Sequence, residues 1–171
     1  MKMEKRIGEI RSIDGRKLIG HAARFNTPAK IGSFEEVILP GAFRSSLESG
    51  QDVVALVDHD RGKLLARMKS GTLRLREDDQ GLAYEIDLPE TSLGNDLLEM
   101  ARRSDLGGMS FGFIPEQGGE SWEGRSRKLS AVRLYEVSVV QWLPAYQGTS
   151  INVRSGSPRL RKAMMYMETI T

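Results

Sequence analysis

The sequence predicts a mainly β protein with a few helices, organised as one domain. Three observations carry that expectation. Short alternating stretches such as Thr72-Leu73-Arg74-Leu75-Arg76 and Leu82-Ala83-Tyr84-Glu85-Ile86-Asp87-Leu88 recur, and a two-residue period is that of a strand with one buried face. Turn-forming residues punctuate them, among them Asp14-Gly15 and Asp78-Asp79-Gln80-Gly81. The chain has 171 residues, the length of one domain that can bury a real core.

Taken in order, residues 4–13 read as a strand through Ile7, Ile10 and Ile13. Asp14-Gly15 turns the chain, and Lys17 to Phe25 returns as the second strand. It carries His21 among small residues, a packed structural histidine on this reading. Residues 26–40 read as a long connection with one extended piece, Glu36 to Leu39. Pro40 to Leu47 reads as a short helix stopped by Gly50, with Phe43 and Leu47 on one face. Asp52-Val53-Val54-Ala55-Leu56-Val57-Asp58-His59-Asp60 is a strand buried on both faces, ending in a histidine between two carboxylates.

Leu64 to Met68, Thr72 to Arg76 and Leu82 to Leu88 form a meander. Thr91 or Ser92 caps a helix running to Arg103, with Leu93, Leu97, Met100 and Ala101 at helical spacing. Gly107-Gly108-Met109-Ser110-Phe111-Gly112-Phe113 is then a strand. A polar hairpin follows with Trp122 packing back on the core, and Lys128 to Trp142 is one long strand. Its second half is apolar on both faces, with Glu136 among the apolar residues. Pro144 to Thr149 is a turn, and Ser157 caps a last helix bearing Leu160, Met164 and Met167. The expected division is a β domain at residues 1–153 and a basic, Met-rich helical segment at 154–171.

Composition excludes several kinds of chemistry. There is no cysteine, so disulfides, thiolate metal sites and cysteine nucleophiles are out. Only His21 and His59 supply imidazole, which argues against a histidine-rich metal site, and no cofactor is expected. The net charge is +2, with acidic and basic residues mixed, unlike the one-sided charge of a nucleic-acid binder. The late cluster Arg154, Arg159, Arg161 and Lys162 reads as a solvated helix face. No apolar run reaches membrane-span length and no signal-peptide core is evident, so a cytoplasmic protein without membrane contact is expected.

Gly108-Met109-Ser110-Phe111-Gly112 matches the Gly-x-Ser-x-Gly pattern of a nucleophile elbow. Chain order removes the α/β-hydrolase reading, because both histidines precede Ser110 and that fold places its histidine last. The buried strands point instead to His59, then Ser110, then Glu136. Ser110 would be the nucleophile, His59 its base, and Glu136 the group that orients the imidazolium, with Asp58 or Asp60 as alternatives. The glycines flanking Ser110 would let a substrate chain approach closely.

A resemblance then becomes specific. Gly32-Ser33-Phe34-Glu35-Glu36-Val37-Ile38-Leu39-Pro40-Gly41-Ala42-Phe43, Leu56-Val57-Asp58-His59-Asp60, Ser70-Gly71-Thr72-Leu73-Arg74-Leu75, Gly108-Met109-Ser110-Phe111-Gly112-Phe113, Glu136-Val137-Ser138-Val139-Val140 and Pro144-Ala145-Tyr146 together resemble the HK97-type prohead proteases of tailed bacteriophages. That family is related in fold to herpesvirus assembly proteases, whose triad order is His, Ser, His. The resemblance implies an orthogonally packed, mostly antiparallel β-barrel with flanking helices. It implies a serine endopeptidase that cleaves major capsid protein and its scaffolding segment, and often itself, inside the immature head in the bacterial host. The portal is a further expected partner, and a homodimer or higher homo-oligomer is expected by family analogy. Herpesvirus enzymes help hold the oxyanion with an arginine pair after the third triad member. The stretch Val137 to Tyr146 has no arginine, so the donors would be backbone N–H groups or a more distant arginine such as Arg154. The competing readings are a non-catalytic capsid-assembly or scaffold module of the same fold, and a serine esterase.

Overall fold

The computed structural model describes residues 3–141, and over that span the chain is mainly β. The expected boundary at residue 153, the turn at Pro144, the last helix and Arg154 lie outside the described residues. β1 (Glu4–Asp14) and β2 (Lys17–Arg24) form the first hairpin, with Asp14 paired to Lys17. The two turn residues are Gly15, at φ +59°, and Arg16, so Asp14 closes the strand rather than entering the turn. β3 (Ala29–Ile31) and β4 (Phe34–Ile38) form a second hairpin where the sequence predicts a long connection. β3 is three residues at a sheet edge with Ala29 and Lys30 exposed, too short to carry an alternating pattern.

α1 (Arg44–Glu48) ends before Gly50, which stands at φ +71°. β5 (Val54–Val57) and β6 (Asp60–Arg67) form one hairpin and β7 (Leu73–Glu77) and β8 (Gly81–Asp87) another, so the meander expected from Leu64 to Leu88 is interrupted: β6 does not pair with β7. α2 (Ser92–Arg102) is capped by Thr91, whose side-chain oxygen accepts from the Gly94 N–H at 3.2 Å. β9 (Gly108–Pro115), β10 (Glu120–Glu123), β11 (Ser126–Leu129) and β12 (Val132–Val140) follow.

The long strand expected from Lys128 to Trp142 is broken at Ser130-Ala131. Both amides donate to the Gly119 carbonyl, at 2.8 and 3.1 Å, and β11 and β12 then join different sheets. Gly119 permits the approach, since a Cβ there would lie 2.1 Å from the Ala131 carbonyl oxygen. The larger sheet has the order β6-β5-β12-β9-β1-β2-β8-β7, and the smaller β10-β11-β4-β3. All neighbours are antiparallel except β12 with β5 and β11 with β4. The expected barrel is not closed by hydrogen bonds: β6 and β7 are the two edges of the large sheet, and no ladder joins them among the described residues. The turn between them is satisfied locally instead. The Thr72 hydroxyl accepts from the Arg67 N–H at 3.0 Å, the Val53 carbonyl from the Met68 N–H, and the Asp52 carboxylate from the Lys69 N–H.

The core is a run of aromatic and aliphatic side chains. Phe25, Phe43, Phe111 and Phe113 form a chain of ring contacts with centroid separations of 6.3, 5.6 and 5.3 Å. Leu18, Leu82, Ile86, Leu97 and Leu134 are fully buried around them. Trp122 is not part of this core, contrary to expectation. It is 50% exposed on β10, edge-on to Phe34 at 5.0 Å and under the Arg127 guanidinium. β10 is an edge strand whose residues are all exposed, so no core lies behind it.

An ionic network ties the two sheets together. Arg127, buried on β11, donates to Glu4 on β1, to Glu36 on β4 and to Glu120 on β10. Arg6 on β1 donates to both oxygens of the buried Glu36, at 2.5 and 2.8 Å, and to Glu4. Burial pushes the Glu4 carboxyl up, but the hydrogen bond and charge of Arg127, with those of Arg6, outweigh it and hold the group below the ordinary glutamate value. Arg127→Met should therefore destabilise by about 3–5 kcal/mol, because it leaves Glu36 with a lost partner in the interior, and urea denaturation measures this. Stability from Glu4 is fully present above the ordinary glutamate pKa, about 4.3, and is lost as pH falls through the lowered folded-state value. The urea midpoint should fall as the pH is taken from about 5 to about 3, and Glu4→Gln should flatten that fall.

Candidate active site

The site is built on β12, which lies between β5 and β9. Val132 and Leu134 point into the core before Tyr135, and Val137 and Val139 do so after it. The parity change comes from a β-bulge. Leu134 pairs with Phe113 and Glu136 with the next residue, Gly112, so Tyr135 is the extra residue. Without the bulge Glu136 would share the face of Leu134 and project into the hydrocarbon core. With it, Glu136 and Ser138 share a face with Gly112 and Ser110 of β9 and with Val54 and Leu56 of β5. The apolar residues on both faces of this strand are the sequence trace of that switch.

Glu136 is 4% exposed. Its Oε1 lies 2.5 Å from His59 Nδ1, and its Oε2 accepts from the Ser138 hydroxyl at 2.5 Å. An ionised carboxylate only accepts, so Nδ1 carries the proton and the neutral ring has Nε2 as its basic nitrogen. His59 reaches Glu136 from the turn between β5 and β6. Asp58 and His59 both have positive φ, +48° and +61°, as a tight two-residue hairpin turn requires. The Asp58 N–H donates to the Val139 carbonyl, and the Asp58 carboxylate accepts from the Gln141 N–H at 2.9 Å.

Ser110 lies in the first half of β9, paired on one side to Ile7 of β1 and on the other to Ser138. It is 2% exposed, and among the described residues its hydroxyl has no hydrogen-bond partner. The sheet thus brings His59 and Glu136 into direct contact and places Ser110 on the same face, one strand from Ser138. Directly opposed side chains on neighbouring strands stand about 4.5–5.5 Å apart at Cβ. No hydrogen bond joins Ser110 to His59. Such bonds are commonly long before substrate arrives.

The alternatives to Glu136 are placed elsewhere. Asp58 caps the end of β12, as above. Asp60 is exposed, accepts from the Gly62 N–H at 2.8 Å and lies 3.6 Å from Lys63. His21 bonds through Nε2 to Asp78 at 2.8 Å, a buried structural pairing of β2 with the turn before β8. Beside His59 and Glu136 a groove of about 330 Å³ is lined by the apolar Met3, Val54, Leu56 and Leu64 and by Arg61, Arg67 and Tyr135. Ser110 is not among its lining residues.

Gly112 has a task that its sequence context does not disclose. A Cβ there would lie 2.7 Å from Glu136 Oε1 and 2.9 Å from Met3 Sδ, so the glycine makes room for the carboxylate. Sequence reasoning also passed over Ser138, although a hydroxyl two residues from a buried glutamate on a strand shares its face. In proton NMR, the His59 Nδ1–H should resonate far downfield in the wild type, as expected of a short charge-assisted hydrogen bond. Gly112→Ala should displace the carboxylate and abolish that resonance, as should Glu136→Ala. Its survival in Gly112→Ala would show that the glycine is not needed for the pairing.

Comparison with known proteins places this arrangement. The solved structure of the bacteriophage T4 capsid assembly protease, gp21, superposes with a TM-score of 0.60, covering 84% of this chain and 98% of that one at 10% identity. At that identity the likeness is one of fold. No curated protein sequence matches. The family model of the caudovirus prohead serine proteases matches residues 3–162, almost the whole chain, and the chain belongs to that family.

Proposed function

We propose that the protein is a serine endopeptidase that cleaves the major capsid protein and its scaffolding segment, and itself, within the immature phage head. The observation that carries this reading is the His59–Glu136 hydrogen bond on the sheet face that bears Ser110, in a chain of this family. Ser110 Oγ attacks the scissile carbonyl while His59 Nε2 takes its proton. Glu136 holds the imidazole in the right tautomer and stabilises the imidazolium by its charge. Collapse of the tetrahedral intermediate returns that proton to the leaving amine, and water then repeats the sequence on the acyl-enzyme. The groove beside the pair, with Leu64 exposed at its rim, is where a substrate segment would lie.

The T4 protein is called a capsid assembly protease, and the same role is proposed here for this chain. The test is co-expression with the cognate major capsid protein, with fragments read by mass spectrometry. Ser110→Ala and His59→Ala should leave the capsid protein intact. Glu136→Gln should slow processing by about 10³–10⁴, since an amide in place of the triad acid favours the wrong imidazole tautomer. Unchanged processing by Ser110→Ala would overturn the assignment and favour a non-catalytic assembly module.

A further inference from the structure

We propose that Ser138 is a positioning residue of the reaction, acting through Glu136. This rests on the reading of Glu136 as the group that orients His59. Ser138 is fully buried on β12, and its hydroxyl donates to Glu136 Oε2 at 2.5 Å while His59 takes Oε1. A buried carboxylate with one oxygen undersatisfied binds a proton more readily. It is also free to rotate away from the imidazole. Ser138 counters both by occupying the second oxygen and fixing the carboxylate plane. A residue needed only for packing at this position would be apolar, as Leu56, its same-face neighbour on β5, is.

Several described groups surround Glu136. His59 comes from the β5–β6 turn, Arg61 and Arg67 from β6, and Tyr135 from β12 itself, all lining the same groove. β9 presents Gly112 and Ser110 opposite Glu136 and Ser138, β5 presents Val54 and Leu56, and Met3 closes the N-terminal side. Loss of the Ser138 donor raises the proton affinity of the His59–Glu136 pair as a unit, because the anionic state loses a hydrogen bond. The acid limb of the reaction's pH profile should then move up.

The experiment uses the full chain and a fluorophosphonate probe. Phosphonylation forms an Oγ–P bond at Ser110, expels fluoride and leaves the hydroxyl proton on His59. Ser138→Ala should lower the plateau rate about tenfold and move the acid limb up by roughly one pH unit, the size expected for a lost hydrogen bond to a charge. Ser138→Thr keeps the hydroxyl and should return the limb to its wild-type position. If Ser138→Ala does not fold, Ser138→Cys, close in size and a weak donor, is read for the same displacement. In a Glu136→Ala background, Ser138→Ala should cause no further loss. A wild-type rate and limb in Ser138→Ala, an equal displacement in Ser138→Thr, or a further tenfold loss in the Glu136→Ala background would each overturn the proposal. Failure of the underlying reading looks different: Glu136→Ala alone would then keep the wild-type rate and limb.

Discussion

A carboxylate in the middle of a β-sheet sets most of the geometry around it. Removing an ion from water costs several kcal/mol even after relaxation, so Glu136 is tolerable at 4% exposure only with its oxygens satisfied. His59 and Ser138 supply the bonds, Gly112 supplies the volume, and the bulge at Tyr135 turns the side chain out of the hydrocarbon core. Each of these would be an odd choice by itself. A serine in an apolar strand, a glycine at a central position and an interrupted ladder all weaken a sheet locally. Together they answer one requirement.

The second buried ionic cluster has a related consequence for register. Arg6 and Glu4 of β1 are held by Glu36 and Arg127 of the smaller sheet, and the Arg6 guanidinium also lies over the Phe113 ring at 5.4 Å. Those bonds fix β1 against β9 so that Ile7 stands opposite Ser110. A slip of one residue would reverse the faces of β1 and carry Arg6 and Glu4 away from their partners. The network thus opposes register error beside the site at a place where a strand with few strong apolar residues would otherwise be weakly specified.

Much of this was legible in the residues. Alternation located the first hairpin and the strands β7 and β8, the threonine cap located α2, and histidine order with the apolar setting of Glu136 pointed to the pair that the sheet brings together. The failures have physical causes. β3 is too short to show a period, and Trp122 is a large apolar side chain that finds cover in Phe34 and Arg127 rather than in the core. The break at Ser130-Ala131 depends on a carbonyl from Gly119, a contact with no local sequence mark. The large sheet is left open between β6 and β7, and the turn joining them satisfies its donors with Asp52, Thr72 and Val53, contacts with no local sequence mark. That Gly112 makes room for the Glu136 carboxylate was also not legible, since a glycine two residues from a serine does not disclose which neighbour occupies its missing side chain.

The strand that carries Glu136 also anchors the turn that carries His59. Two consecutive residues at positive φ are costly for anything but glycine, though aspartate and histidine bear it better than most. Here the cost is offset by two bonds to the end of β12: the Asp58 amide to Val139 and the Asp58 carboxylate to the Gln141 amide. Asp58 therefore fixes the turn that carries His59, rather than the imidazole itself. Glu136 and Ser138 lie on β12, His59 is tied to its end through Asp58, and Ser110 is set by its ladder to Ser138. Positions that depend on one strand move together, so thermal motion of β12 preserves their spacing better than three independent loops would. The cost of that arrangement falls on β9. Lying between β1 and β12, it commits its strand amides to ladders around Ser110, and on the proposed mechanism an oxyanion must be met by donors from outside that strand.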